Sequence, residues 1–195
     1  CEQLANRMLS AKAKVDGQKI RKGQLNEAEW IKIKEAEQEL KRQKIFFDDT
    51  PGIKISDMNA KCRKLKEDYG LYLIIIDYIQ LIQSNTKSES RQQEVSDISR
   101  KIKAMARELD VPIIALSQLS RSVESRNDKR PMLSDLRESG AIEQDADMVM
   151  FIYREDYYKK DEERNEKRED VELIVAKHRN GPIGTVKLAF EKDIN

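Results

Sequence analysis

The sequence predicts an α/β domain: a mainly parallel sheet flanked by helices, with an antiparallel hairpin near the C-terminus. Three observations carry that prediction. Leu71-Tyr72-Leu73-Ile74-Ile75-Ile76 is a continuous, largely β-branched apolar run, the pattern of a strand buried on both faces. Arg91 to Leu109 then sets Val95, Ile98, Ile102, Met105 and Leu109 on one helical stripe, ahead of a second apolar run at Pro112 to Leu116. Val171 to Ala176 and Thr185 to Phe190 flank Asn180-Gly181, a hairpin signal.

The remaining elements follow in chain order. A first helix starts near Glu2 and carries Leu4, Ala5, Met8 and Leu9 on one face. Gly17 and Gly23 bracket a loop. Asn26 with Glu29 is an N-cap pair that opens a helix to about Lys41, with Trp30, Ile33 and Leu40 as core candidates. Ile45 to Phe47 reads as a short strand, ended by the turn cluster Asp48-Asp49-Thr50-Pro51-Gly52. Ser56 caps a third helix whose Met58, Cys62, Leu65 and Tyr69 share a stripe, which makes Cys62 a core thiol. Gln83 to Ser90 is a polar loop, and Met148 to Tyr153 a third buried strand. The charged stretch Arg154 to Asp170 reads as a solvated loop or helix end.

Composition excludes several classes. The 195 residues suffice for one domain with a real core and are few for two. Seven Gly and four Pro rule out collagen-like and Pro-rich chains. The longest apolar run is far short of the roughly 20 residues needed to span a bilayer. Cys1 and Cys62 make no disulfide framework, and with no signal segment this fits a cytoplasmic protein. A single His, His178, argues against a zinc site or a His-based triad. Net charge is +1, with residues 1–70 basic and residues 71–195 acidic, so nucleic-acid contact would need local patches.

Four places could do chemistry. Asp77 ends a strongly apolar strand, where α/β folds place ligands and where nucleotide hydrolases hold magnesium; it could also simply begin a turn. Gln118, after Ser117 at the end of the next strand, could sense a terminal phosphate or position water. Lys177 and Arg179 sit beside a tight turn and could bind phosphate, with Arg179 as an arginine finger toward a neighbouring subunit, or form a basic hairpin end. The loop from Arg121 to Gly140 carries Arg126, Lys129, Arg130 and Arg137, and could track a nucleic-acid backbone or be plain surface. None of the glycines belongs to a G-x-x-x-x-G-K-S/T phosphate loop.

Together these segments resemble one family. Leu73-Ile74-Ile75-Ile76-Asp77-Tyr78-Ile79-Gln80-Leu81-Ile82, Arg91-Gln92-Gln93-Glu94-Val95-Ser96, Ile114-Ala115-Leu116-Ser117-Gln118-Leu119-Ser120-Arg121, Asp135-Leu136-Arg137-Glu138-Ser139-Gly140 and Ala176-Lys177-His178-Arg179-Asn180-Gly181-Pro182 occur in order. The whole chain is similar to the C-terminal ATPase domain of bacterial replicative DNA helicases of the DnaB type.

The resemblance implies a RecA-like P-loop NTPase core spanning residues 1–195 as a partial domain, without its P-loop. It implies ATP hydrolysis with Mg2+, and a homohexameric ring that moves 5′ to 3′ on single-stranded DNA and opens the duplex at the fork. It implies primase and a helicase loader as partners. Asp77 would hold the magnesium, Gln118 would sense the γ-phosphate, and Lys177 and Arg179 would reach the ATP of the adjacent subunit. Arg137, Glu138 and Gly140 would lie on the DNA-holding loop. In the family the P-loop and a catalytic Glu precede the segment that opens here at Cys1, so a piece of a helicase subunit, inactive by itself, is expected. A recombination or repair ATPase of the RecA type, or a non-catalytic module of that fold, are the alternatives.

Overall fold

The structure is a computed structural model that describes residues 2–85, 88–158 and 168–194, except for the side chains of residues 137–139. The chain divides into two compact units. One comprises Cys1–Asp49, Arg154–Glu172 and Lys187–Asn195; the other comprises Thr50–Tyr153 and Leu173–Val186.

The first unit is built on three helices: α1 (Glu2–Ala13), α2 (Gly17–Lys22) and α3 (Glu27–Arg42). Each boundary has a local cause. The buried Ser10 hydroxyl donates to the Val15 carbonyl at 2.6 Å and ties off the end of α1. Asp16 caps α2 by accepting from the Gln18 N–H, and Gly23 ends it in a left-handed conformation, φ 66°, that disfavours any side chain. The predicted capping box of α3 is present: the Glu29 N–H donates to Asn26 at 2.9 Å, and the Asn26 N–H donates to the Glu29 carboxylate at 3.0 Å. Ala13, Val15, Ile33 and Ala36 form the core, with Leu9, Ile20 and Leu25 against them. Trp30, expected inside, is exposed: Ile33 and Ala36 define the buried face of α3.

This unit also holds a buried charge. Glu169, the second residue of the strand Arg168–His178, is 3% exposed, so the stretch expected to be solvated holds a buried carboxylate at this end. Lys192 pairs with its carboxylate at 2.7 Å, and Arg154 donates from Nε at 2.8 Å and from Nη2. The Arg154 guanidinium lies 4.3 Å from the Phe190 ring centre. The sequence reading missed the cluster because its members are far apart in the chain. Residues 159–167 of the same stretch lie outside the described residues.

The second unit contains α4 (Ile55–Tyr69), β1 (Ile74–Ile76), α5 (Arg91–Leu109) and β2 (Ile113–Ala115), followed by α6 (Gly140–Asp145) and β3 (Met148–Tyr153). Ser56 does not cap α4; it lies inside the first turn, and Asn85 accepts its N–H at 3.3 Å. β1 and β2 pair in parallel, Ile74 with Ile113, Ile75 with Ile114 and Ile76 with Ala115. Cys62 of α4, Ile74 and Ile76 of β1, and all five predicted stripe residues of α5 are buried together.

Burial of β1 departs from expectation. Ile74 and Ile76 are buried, but Ile75 is 62% exposed, and Leu73, Ile114 and Leu116 are exposed as well. Only one face of the pair is covered by the described residues, and among them β2 is the only strand paired with β1. β3 behaves alike: Val149 and Phe151 are buried, while Met148, Met150 and Ile152 are exposed. An all-apolar run conceals its own alternation, because both faces are written in the same residues. Ile45–Phe47, expected as a strand, forms none and is exposed.

β3, β4 (Arg168–His178) and β5 (Gly184–Glu191) form a second, antiparallel sheet in that order. The hairpin loop falls at residues 179–183, around Asn180-Gly181 as predicted. Leu136, Val149 and Phe151 form a further core, with Leu119, Leu133 and Ile174 against it.

Two outcomes follow. Ile76→Thr buries a hydroxyl against the core and should lower the unfolding free energy by about 1–3 kcal/mol. Ile75→Thr keeps the β-branch on the open face and should stay within about 0.5 kcal/mol of the parent in the same urea titration. The second outcome concerns acid. The Lys192 ammonium, helped by Arg154 and opposed by burial, holds the Glu169 carboxyl below its ordinary value of 4.5. A lowered folded-state value means this stabilisation is complete above about pH 4.5 and is lost as pH falls through the folded value. Glu169→Gln should therefore flatten the loss of stability on the acid side, read from urea midpoints between about pH 6 and about pH 3.

Candidate functional site

The candidate residues lie in the second unit, in two groups. The first is set by the parallel pair. The Leu116 N–H donates to the Ile76 carbonyl at 2.9 Å and the Ile79 N–H to the Leu116 carbonyl at 2.9 Å, so pairing runs past both strand ends. Asp77 and Ser117-Gln118 consequently leave the sheet at one edge, the carboxyl edge where open α/β sheets bind ligands. Asp77 and Gln118 are both exposed.

Gln80 joins the two exits. Its side-chain N–H donates to the Ser117 hydroxyl at 3.0 Å, and its side-chain oxygen accepts the Gln118 N–H at 3.3 Å. Arg91, at the start of α5, donates to the Gln80 backbone carbonyl. The sequence reading missed Gln80 as a site residue. Its signal was a polar side chain inside the otherwise apolar run Ile79 to Ile82.

Asp77 supplies one hard, exposed carboxylate, which suits magnesium. Among the described residues no group of three or more His, Cys, Asp or Glu could hold a metal without other help. A magnesium at Asp77 would complete its shell from phosphate and water oxygens, as magnesium does in nucleotide sites.

The second group lies at the end of α6. Lys177 donates from Nζ to the Glu143 carbonyl at 2.5 Å and to the Gln144 carbonyl at 3.3 Å. Arg179 donates from Nη2 to the Gln144 carbonyl at 2.6 Å and from Nη1 to Asp147 at 3.3 Å. The Arg179 N–H donates to the Asp147 carbonyl at 2.9 Å. Both cations thus satisfy the terminal carbonyls of a helix, where its dipole is negative. Asp147 also pairs with Lys103 of α5. That ammonium, with Arg179 and Arg107, holds the Asp147 carboxyl below the usual carboxylate range. Asp147 was not foreseen as a site residue. Among the described residues no hydrogen bond links this group to Asp77 or Gln118.

His178 packs on the turn. A Cβ at Gly181 would meet the His178 ring at 2.3 Å, so only glycine allows that approach. The imidazole therefore serves the hairpin.

The basic loop makes contacts of its own among the described residues. Arg126 points into it and pairs with the buried Asp135. Arg130 lies over the Tyr153 ring, 5.6 Å from its centre. The Arg137 and Glu138 side chains lie outside the described residues; their backbone belongs to a 3-10 stretch, Leu133–Ser139. Gly140 opens α6 and is exposed, and nothing lies within 4 Å of a Cβ placed there.

Comparison with known proteins assigns the family. All of residues 1–195 match the DnaB-like helicase C-terminal domain. The chain belongs to the DnaB-like helicase C-terminal domain family. It is 57% identical over its full length to the replicative DNA helicase DnaB of Geobacillus stearothermophilus, covering 42% of that protein. It is 56% identical to the replicative DNA helicase DnaC of Bacillus subtilis (strain 168), again covering 42% of it. Among solved structures, one described as an ATPase domain superposes with a TM-score of 0.88 at 46% identity, over 96% of this chain and 66% of that one. A DnaB-like replicative helicase, described with its interactions with primase, superposes with a TM-score of 0.89 at 45% identity, over 97% and 45% of the two chains. The chain thus spans less than half the length of the curated relatives. Membership in the DnaB-like family decides for the helicase resemblance over the recombination one. Among the described residues no helix is long and apolar enough to cross a membrane.

The Gln80 strap gives a direct test. Gln80→Leu removes both bonds to the β2 exit and should cost about 1–2 kcal/mol of unfolding free energy. In amide exchange the Gln118 N–H should lose protection more than that of Ile76. Equal protection in parent and variant would show that Gln80 holds nothing.

Proposed function

We propose that this chain is part of the motor domain of a ring-shaped replicative DNA helicase. The whole protein hydrolyses ATP to move 5′ to 3′ on single-stranded DNA and separates the duplex at the replication fork. It acts as a homohexamer in the cytoplasm, with primase and a loader as partners. The observation that carries this reading is the shared exit of Asp77 and Gln118 beside a parallel pair, in a chain whose whole length matches DnaB-like helicases.

Each residue has a task suited to its place. Asp77 would hold magnesium, which when bound neutralises phosphate charge. Gln118, its backbone fixed by Gln80, would hydrogen-bond the terminal phosphate. Arg179 would reach the nucleotide of the adjacent subunit and stabilise charge that develops at the γ-phosphate, with Lys177 beside it. Their present acceptors are carbonyls and a carboxylate, which an approaching phosphate can replace. Arg137, Glu138 and Gly140 would form the DNA-holding loop, Arg137 on phosphate and Glu138 in positioning the loop. The phosphate loop and the base for the attacking water would come from the rest of the protein, because these residues contain no P-loop motif.

The test uses a full-length helicase in which these 195 residues replace the matching segment of the Geobacillus stearothermophilus relative. Arg179→Ala should lower ATP turnover by about 10³-fold or more, the scale set by arginine fingers in related hydrolases. Mixing variant with parent subunits should depress turnover more steeply than the variant fraction, because each finger serves its neighbour. Parent-like turnover in a pure Arg179→Ala ring would refute the assignment.

A further inference from the structure

Arg126 belongs to the basic loop, yet its guanidinium faces inward. It meets Asp135 fork to fork, Nη1 to Oδ1 at 2.9 Å and Nη2 to Oδ2 at 2.9 Å. Nη2 also donates to the Arg130 carbonyl at 2.9 Å, and Nε to the Asp128 carbonyl at 3.2 Å. A guanidinium has five N–H groups. These four bonds leave at most one of them for anything else.

Asp135 is the other half of the clamp. Its side chain is 3% exposed against 29% for Arg126. Its carboxylate accepts the Met132 N–H at 2.8 Å as well. Its backbone carbonyl accepts the Ser120 N–H at 2.9 Å. Ser120 lies two residues after Gln118, and Asp135 two residues before Arg137. Next to it, Leu136 is buried with Val149 and Phe151. The half-buried ion pair and the Asp135 backbone thus tie together the start, middle and end of a long connection immediately before the residues assigned to DNA.

We propose that Arg126, through Asp135, is a positioning residue for the DNA-holding loop and makes no phosphate contact of its own. This rests on the reading of Arg137 to Gly140 as that loop. The physical argument is geometric. Only a planar fork can bond both carboxylate oxygens and two carbonyls at once; a lysine ammonium would keep the charge and lose the arrangement. A long loop without such an anchor samples many conformations, and ordering them would fall on DNA binding.

The experiment measures anisotropy of a labelled thymidine oligonucleotide on the full-length helicase described above, at several salt concentrations. Stoichiometric titration at low salt reads the active fraction separately, so that a merely misfolded population is not scored as weak binding. Arg126→Lys and Asp135→Asn, both close in shape to the parent, should each weaken binding by about tenfold. Their log–log salt slopes should match the parent slope, since no phosphate contact is lost. Asp135→Asn is the sharper arm. It removes a negative charge from a loop facing DNA, so electrostatics without positioning would tighten binding. Arg126→Lys binding like the parent, or Asp135→Asn binding more tightly, would overturn the proposal. A slope lowered by about one unit in Arg126→Ala would also overturn it, as the mark of a direct phosphate contact. Arg137→Ala is the control for the underlying reading and should lower the slope by about one unit. An unchanged Arg137→Ala beside weakened Arg126 variants would fault the placement of the DNA contact. Retained binding in Arg126→Lys and Asp135→Asn would fault the positioning role whatever Arg137 does.

Discussion

Parallel pairing sets Ile76 opposite Ala115, and because both strands run the same way, the residues after them emerge at the same edge. An antiparallel partner would have sent the second exit to the far end of the sheet. The Ile76–Leu116 and Leu116–Ile79 backbone bonds extend that constraint one step beyond the strands. Gln80 extends it again, through side-chain bonds to Ser117 and to the Gln118 N–H. What reaches solvent is a carboxylate and a carboxamide whose backbones are fixed. The buried faces of Ile74 and Ile76 against α5 give the pair its rigid base.

The second group depends on a different piece of physics. The carbonyls at the end of α6 have no partners within the helix. Lys177 and Arg179 supply them from β4 and the hairpin loop, and Asp147 adds a full negative charge shared with Lys103. The first turn of α6 begins at Gly140, the end of the loop proposed to hold DNA, and its last turn meets the cations proposed to reach a neighbour's nucleotide. A helix of six residues is about 9 Å long, so the two assignments are separated by little more than one side chain's length.

Legibility in the sequence followed the range of the interactions. Local ones could be read: the Asn26–Glu29 box, the Val95 to Leu109 stripe and the turn at Asn180-Gly181 all depend on neighbours within a few residues. The exits of Asp77 and Gln118 were readable because two apolar runs joined by one helix imply a parallel pair. Long-range pairing was not readable. Glu169 sits in a run of charges that reads as solvated, and its partners lie 15 residues before it and well after it. Which face of Leu73 to Ile76 is covered cannot be seen in an all-apolar run. The roles proposed for Lys177 and Arg179 came from likeness to a family; the residues by themselves favoured a basic hairpin end.

Counting loop cations therefore overstates how much positive charge DNA would meet. Arg126 makes four bonds inside the loop and Arg130 covers Tyr153; outside it, Arg179 faces Asp147. A chain of net charge +1 with its arginines engaged in this way is poorly suited to bind DNA by bulk attraction. Its grip would come from few, well-placed contacts. Such contacts are effective only if the backbone that carries them is already ordered, because flexible cations lose freedom with each contact they make. On the proposed reading, the internal pairing of Arg126 and a phosphate contact by Arg137 would be two halves of one arrangement, in which one arginine gives up its charge to the fold and another meets the DNA.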